Sequence, residues 1–331
     1  MARSSETSIA DCLMQSYQRD FPLVREPFAE IAARIGTGER EVRAACEALV
    51  GSGVVARIGG VVRPNTIAAS TLAAVAVPEL STHAVAEKIS ALAGVNHVYL
   101  RENPINIWFV ATGPDREFVD ATLKKVERLS HEPVLDLRLE QSFHIDLGFP
   151  LKGIARTHNA AAKPQIEYRS EPCDRELVQI LTSGIAIHPH PFRVVGEKLG
   201  LTEDAVIARL QHLIQSGIVT RVGLIVRHRA LGWRSNAMVV WDVDPSQLAD
   251  KARILARHRG INLCYQRRRY AERWPYNLYC MIHAKSRESA LRTLEDASRR
   301  AGLDDAPRQV LFSSRCYKQT GALIVSSREA A

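Results

Sequence analysis

The chain has 331 residues, 46% hydrophobic and 24% charged, which is enough for two or more domains with cores of their own. Its formal charge of +8 permits a polyanionic partner without choosing among nucleic acid, anionic lipid and an acidic small molecule. Six cysteines without a C-x-x-C pair exclude a zinc ribbon or a dense disulfide framework. With no apolar signal core in MARSSETSIADCLMQ and no long apolar run, the chain reads as a cytoplasmic protein without a membrane span.

In chain order, the first feature is one half of a repeat. Residues 28–63 read FAEIAARIGTGEREVRAACEALVGSGVVARIGGVVR, and residues 192–227 read FRVVGEKLGLTEDAVIARLQHLIQSGIVTRVGLIVR. Gly36 and Gly200, Ser52 and Ser216, Arg57 and Arg221, and Gly59 and Gly223 are each 164 positions apart, so the chain is an internal duplication. Each copy spells a winged helix-turn-helix. A first helix, about 27–35 or 191–199, ends at Gly36 or Gly200, where a left-handed cap is expected. Thr37 and Thr202 are the expected N-caps of second helices at 38–51 and 203–214. The S-G-V-V and S-G-I-V turns then lead into two short strands, ARIGGVVR and TRVGLIVR, which form the wing.

Each winged helix is followed by strand, helix, strand, strand, helix, strand. In the first half these are predicted at 71–78, 82–92, 95–101, 105–112, 115–129 and 134–143. In the second they fall at 235–243, 246–258, 261–267, 276–283, 285–301 and 308–314. The expected fold is therefore α+β, a tandem duplication of a winged helix followed by a ferredoxin-like βαββαβ domain. The domains are 1–66 and 173–230 (winged helices), 67–151 and 231–331 (ferredoxin-like), with a polar linker at 152–172. Pairing of the two halves' sheets is expected.

Cys264–His283, reading CYQRRRYAERWPYNLYCMIH, concentrates Arg267, Arg268 and Arg269 with the rings of Tyr270, Trp274, Tyr276 and Tyr279. Unpaired buried cations cost several kcal/mol, so such a run is not simple core. Rings for a flat face and forked cations for carboxylates suit a large polyanionic ligand. The second helices point away from DNA. Residues 38–51 set Arg40 and Arg43 against Glu39, Glu41 and Glu47, and 203–214 set Arg209 against Glu203 and Asp204.

A winged helix followed by a ferredoxin-like domain resembles the Lrp/AsnC regulators. The hairpins VNHVYLRENPINIWFVATG at 95–113 and INLCYQRRRYAERWPYNLYCMIHA at 261–284 resemble a specialised branch, the siroheme decarboxylases. The two subunit types of that family carry motifs of the form HxYxRE…YNxWF and CYxRR…WPYNLYxMIH. Here both lie in one polypeptide, as in the fused D–L type of haem d1 biosynthesis. The sequence departs from the pattern where Ile105 stands in place of the tyrosine before Asn106, and His97 has Leu263 as its counterpart, so the halves are expected to differ chemically.

The resemblance implies non-oxidative loss of the C12 and C18 acetate carboxylates of siroheme as carbon dioxide, giving 12,18-didecarboxysiroheme. It asks for anchors on spectator carboxylates, a proton donor and exclusion of water. Arg101, Arg267, Arg268 and Arg269 are the expected anchors, Arg101 and Arg267 foremost because they match across the repeat. His97 and His283 are candidates for general acid or for approach to the iron. Tyr276 would donate a proton or hydrogen bond. Trp108, Trp274 and Tyr270 would stack on the ring or line its wall. Asn106 and Asn277 would touch substrate or fix the hairpins. Cys264 and Cys280 are expected as small core residues, and His188 and His190 as loop residues. No cofactor is required, the iron belonging to the substrate. Expected partners are siroheme and its product, other enzymes of the tetrapyrrole pathway and a second copy in a homodimer. The alternatives are a DNA-binding regulator and a non-catalytic tetrapyrrole-binding protein.

Overall fold

The computed structural model describes residues 8–145 and 164–326; of the expected linker, 152–163 lie outside them. In the first winged-helix region α1 spans Ile9–Ser16, α2 Pro27–Ile35, α3 Glu39–Gly51 and β1 Val55–Val62. The first ferredoxin-like region holds β2 (Ala69–Val75), α4 (Thr82–Ala91), β3 (Val95–Arg101), β4 (Ile107–Gly113), α5 (Arg116–Ser130), β5 (Leu135–Leu137) and β6 (Leu139–Ile145). The second winged-helix region holds α6 (Asp174–Ser183), α7 (Pro191–Leu199), α8 (Glu203–Gln215) and β7 (Val219–Val226). The last region holds β8 (Ser235–Trp241), α9 (Pro245–Ala256), β9 (Ile261–Arg267), β10 (Leu278–Ala284), α10 (Arg287–Ala301) and β11 (Arg308–Gln319). Helices α1 and α6 precede the stretches in which the repeat was read.

The chain forms two compact units. One combines both winged helices (8–67 with 164–231), the other both ferredoxin-like regions (68–145 with 232–326). Among the described residues, no helix is long and apolar enough to cross a membrane.

In the winged-helix unit, Gly36 and Gly200 take left-handed caps at φ 74° and 67°. Thr202 caps α8 through the Ala205 N–H, as expected. Thr37 does not cap α3, whose N-cap is Gly38 without a side-chain bond. The constant repeat offset explains this, since it sets Gly38, not Thr37, opposite Thr202. The wing strands β1 and β7 pair with each other, antiparallel, with Gly59 facing Gly223. Both glycines are needed for close packing. A Cβ on Gly59 would stand 2.3 Å from the Leu181 carbonyl oxygen, and one on Gly223 would stand 2.4 Å from the Gln18 backbone. Each copy's wing is thus covered by the helix that opens the other copy.

Helix α8 does not present its arginine. Arg209 Nε and Nη2 each lie 2.6 Å from an Asp174 carboxylate oxygen, and Nη1 lies 3.2 Å from Glu171. On α3, Arg43 is paired with Glu39 at 3.0 Å. Burial works against the charged form of Asp174. Hydrogen bonds from Arg209, the Glu171 N–H and Tyr168 outweigh it and hold the carboxyl below its usual range.

In the ferredoxin-like unit, one nine-stranded sheet runs β5-β2-β4-β3-β11-β8-β10-β9-β6. The segment expected as one strand at 134–143 is divided. Residues of β5 pair with β2 of their own half, and β6 pairs with β9 of the other half. Strand β11 does the same without a break, pairing with β8 through Phe312 and with β3 from Ser313 onward. Because β5 and β6, the two ends of the sheet order, are joined by the single residue Arg138, the sheet closes on itself. The reason is the edge. In a four-stranded half, β3 or β9 would expose unpaired N–H and C=O groups, and the crossing strand covers them.

Strand alternation sorts the side chains into three clusters. Two lie on the helix side, one under α4 and α5 and one under α9 and α10. The third faces the other way and draws on both halves: Ala74, Trp108, Leu135, Leu137, Met238, Val240, Trp274, Tyr279 and Leu311.

Asp174 contributes stability that is present at neutral pH and is lost as pH falls below the ordinary carboxylate pKa of about 3.9 toward its lower folded value. Asp174→Asn, which leaves Arg209 without its buried counter-charge, is expected to cost about 3 kcal/mol at neutral pH. Thermal melting across pH 2–7 should show a shallower acid loss in the variant than in the wild type.

Candidate active site

The third cluster holds Trp108, Trp274 and Tyr279 from the hairpin motifs, with Tyr270 and Tyr276 packed against it, and its face is built twice. Tyr99 and Arg101 on β3 recur as Tyr265 and Arg267 on β9, two residues apart in each case and therefore on one face. The Arg101 guanidinium carbon lies 5.6 Å from the Tyr99 ring centroid, and that of Arg267 lies 5.0 Å from the Tyr265 centroid. Each Nη1 donates at 2.9 Å to a carbonyl from the other half of the chain, Leu311 on β11 for Arg101 and Leu137 at the end of β5 for Arg267. The backbone N–H of each arginine is also matched, bonding the Asn106 and Asn277 carbonyls. Strand exchange thus places both arginines against the closed face.

Arg267 has no carboxylate partner among the described residues. Its Nε is buried without a hydrogen bond, and its other contact is with the Tyr279 ring at 5.9 Å. Burial pulls its pKa below the usual arginine value, partly offset by Tyr265 and Tyr279, yet a guanidinium remains charged at any physiological pH. Burial also pushes the Tyr265 phenol up to about 12 and the Tyr279 phenol higher still, so both stay neutral.

The indoles line the same face. Trp108 and Trp274 are buried with centroids 5.2 Å apart, and Tyr276 meets Trp274 edge-on at 4.9 Å. Trp108 Nε1 donates to the Ile105 carbonyl and Trp274 Nε1 to the Tyr279 hydroxyl, both at 2.7 Å. The Tyr276 hydroxyl has no hydrogen-bond partner among the described residues.

His283, on β10, is buried and engaged at both ring nitrogens, with Nδ1 3.0 Å from Asn262 Oδ1 and Nε2 3.0 Å from Asn236 Nδ2. Asn236 in turn accepts from Arg101 Nη1 at 3.4 Å. Both ring nitrogens thus face asparagine side chains. His97 lies on β3 with its ring stacked near Tyr99 at 6.3 Å, on the Arg101 face.

Several expected contacts go elsewhere. Arg269 is exposed and paired with Asp242 at 2.7 Å, and exposed Arg268 lies over the Tyr270 ring. Tyr270 closes a tight turn with Trp274, and its hydroxyl meets the Asp136 backbone. Arg268 and Arg269 are thus engaged at the turn after β9, while Tyr270 also packs against the third cluster. Asn106 and Asn277 are hairpin pins. Asn106 receives the Val77 N–H and donates to the Val77 carbonyl, and Asn277 does the same with Val243. Cys264 and Cys280 point into the helix-side core, their thiols raised by burial, Cys264 to about 12. His190 makes contacts with Glu26 and Glu203, and among the described residues no three His, Cys, Asp or Glu are grouped to hold a metal.

Residues 67–144 and 230–318 match the AsnC-like ligand binding domain, and residues 13–55 and 174–219 match the siroheme decarboxylase NirDL-like HTH domain. The siroheme decarboxylase NirDL subunit of Paracoccus denitrificans is 45% identical over 94% of this chain and 96% of its own length. The chain belongs to the siroheme decarboxylase family. As a siroheme decarboxylase family member it is a carboxy-lyase. The crystal structure of the siroheme decarboxylase NirDL superposes with TM-score 0.68 at 25% identity, covering 95% of this chain and 94% of that one. A second NirDL structure, in complex with an iron-uroporphyrin III analogue, gives 0.67 at the same identity and coverage.

Asn236, Asn262, Tyr99 and Tyr265 were not among the residues expected from the motifs. The tyrosines carried a signal, the Y-x-R recurrence at 99–101 and 265–267. Asn236, in SNAMVVW, showed only as an amide within an apolar strand.

Asn277→Ala leaves the Val243 N–H and carbonyl without their side-chain partner in a buried position, at a cost of about 1–3 kcal/mol. The expected result in ligand-free melting is a lower Tm for Asn277→Ala and also for Asn106→Ala. A purely ligand-contacting asparagine would leave Tm unchanged.

Proposed function

We propose that the chain removes the C12 and C18 acetate carboxylates of siroheme as carbon dioxide, giving 12,18-didecarboxysiroheme for haem d1 biosynthesis. The observation that carries this reading is Arg267, a guanidinium turned toward an aromatic face with no carboxylate among the described residues to neutralise it. An uncompensated cation in such a place is costly unless a ligand supplies the anion. The matching Arg101 of the first half places a second guanidinium beside the equivalent tyrosine ring. A related protein's complex with an iron-uroporphyrin III analogue accords with that class of ligand.

Each acetate arm changes from R–CH2–COO⁻ plus one proton to R–CH3 plus carbon dioxide, with no electrons gained or lost. Protonation of the conjugated ring carbon creates the electron sink, the carboxylate leaves, and a second proton completes the methyl group as the first is returned. Arg267 and Arg101 hold spectator carboxylates and fix the macrocycle's orientation. Trp108, Trp274 and the tyrosines exclude water around it. His97, His283 and the Tyr276 hydroxyl are the proton-handling groups of this face. Arg268 and Arg269, exposed and engaged elsewhere, are left out of the anchor set.

Anaerobic incubation with siroheme and no added reductant is expected to lower the pigment mass by one carbon dioxide per acetate lost. Arg267→Ala should reduce kcat/KM by about 100-fold or more, the cost of losing a buried charge partner. It should leave Tm unchanged or raised. Turnover at the wild-type rate in Arg267→Ala would overturn the assignment.

A further inference from the structure

Among the described residues the Arg267 guanidinium makes a single hydrogen bond, from Nη1 to the Leu137 carbonyl at 2.9 Å. Its aim is therefore only as fixed as the stretch 137–139, which meets β9 three times. Leu137 takes the Arg267 side chain, the Arg138 carbonyl accepts the Arg268 N–H at 2.9 Å, and Leu139 stands opposite Arg267. Strand β5, which delivers this stretch, is three residues long and ends the sheet order beside β2. What secures it lies on the other side of the strand. Leu135 and Leu137 belong to the third cluster, so alternation turns Asp136 toward the helices. Asp136 Oδ1 accepts from Thr71 Oγ1 at 2.7 Å, and Oδ2 accepts from Arg116 Nη2 at 2.6 Å and from Arg138 Nε at 2.7 Å. The same two arginines flank a second carboxylate, Asp120, bonded by Arg116 and 3.8 Å from Arg138. One carboxylate on β5 thus draws together β2, the start of α5 and the joint to β6.

We propose that Asp136 is a positioning residue whose clamp on Arg116 and Arg138 fixes the β5–β6 joint, so that the Leu137 carbonyl aims Arg267 at a substrate carboxylate. The inference rests on the reading of Arg267 as an anchor given above. Without the Asp136 charge, two guanidiniums converge on Asp120 alone, and like charges at this range repel. Relief comes through Arg138, the one residue between the two strands. Its movement carries the Leu137 and Arg138 carbonyls with it, and the Arg267 guanidinium loses its fixed acceptor. The cation remains in the site, but its direction is no longer set before the ligand arrives.

The other half holds its arginine by the same backbone pattern. The Leu311 carbonyl accepts from Arg101 Nη1, the Phe312 carbonyl accepts the Glu102 N–H at 2.9 Å, and Ser313 stands opposite Arg101. Val310 and Phe312 occupy the places of Asp136 and Arg138. Phe312 packs into the helix-side core under Arg287, which opens α10 as Arg116 opens α5 and lies 4.0 Å from the ring centroid. Strand β11 also runs through this point without a break. Apolar packing and an uninterrupted strand do there what charge does at the broken joint, so the ionic clamp is particular to Arg267.

The test is a double-mutant cycle on the full chain, with iron-uroporphyrin III as the probe and its Kd read by absorbance titration. Asp136→Asn removes the charge and keeps the shape. It should weaken binding about tenfold when Arg267 is present, and less than about twofold in the Arg267→Ala background. With siroheme, kcat/KM of Asp136→Asn should fall by about the same factor as the affinity. Equal weakening in both backgrounds would mark a general effect on the fold and overturn the proposal, as would wild-type affinity in Asp136→Asn. A wild-type chain that does not bind the probe, or an Arg267→Ala chain that binds it as tightly, removes the anchor and with it the proposal. Should Asp136→Asn fail to fold, Arg138→Gln, which opens the other side of the clamp, enters the same cycle with the same expectation. A wild-type chain that binds the probe but releases no carbon dioxide from siroheme would instead overturn the proposed function, and the cycle would still decide the role of Asp136.

Discussion

The crossing of the last strand of each ferredoxin-like half into the other half's sheet is the constraint on which this structure depends. Strands β3 and β9 would otherwise be open edges, and β11 and β6 cover them. The same crossing brings the Leu311 and Leu137 carbonyls to the Nη1 atoms of Arg101 and Arg267. Edge protection and placement of the two cations are therefore one structural event. Neither arginine could be held this way in an isolated four-stranded half, because its carbonyl acceptor comes from the other half of the chain.

Duplication supplies the frame, and divergence supplies the chemistry. The Tyr-x-Arg pairs and the Asn106 and Asn277 pins are retained in both halves, since each serves the closure of the sheet. The polar line through Asn236, His283 and Asn262 is found in one half, and His97 stands where the other half has Leu263. The scaffold is thus pseudo-symmetric while its buried polar groups are not.

The two winged helices form one unit through their paired wings. The arginine that α8 could turn outward is held by Asp174 and Glu171, and the wings, instead of standing free, pair with one another under α1 and α6. Engagement inside the unit takes Arg209 out of reach of a phosphate.

Much of this was legible from the residues alone. The duplication, the α+β order of elements, the helix-ending glycines and the special status of Cys264–His283 follow from spacing and composition, because local periodicity and backbone preference are properties of short segments. The special place of Arg267 also follows, since a cation set among rings at a strand end is unusual wherever it falls. What sequence could not decide was partnership. Arg269 finds Asp242, Arg268 lies on Tyr270, Asn106 and Asn277 bind the backbone, and His283 is enclosed by two asparagines from neighbouring strands. Each of these depends on which strands become neighbours and on the one-residue break at Arg138 that sends β6 across the sheet. Residue type states what a side chain is able to bond; only the closed sheet, a product of long-range pairing, decides which groups stand within reach.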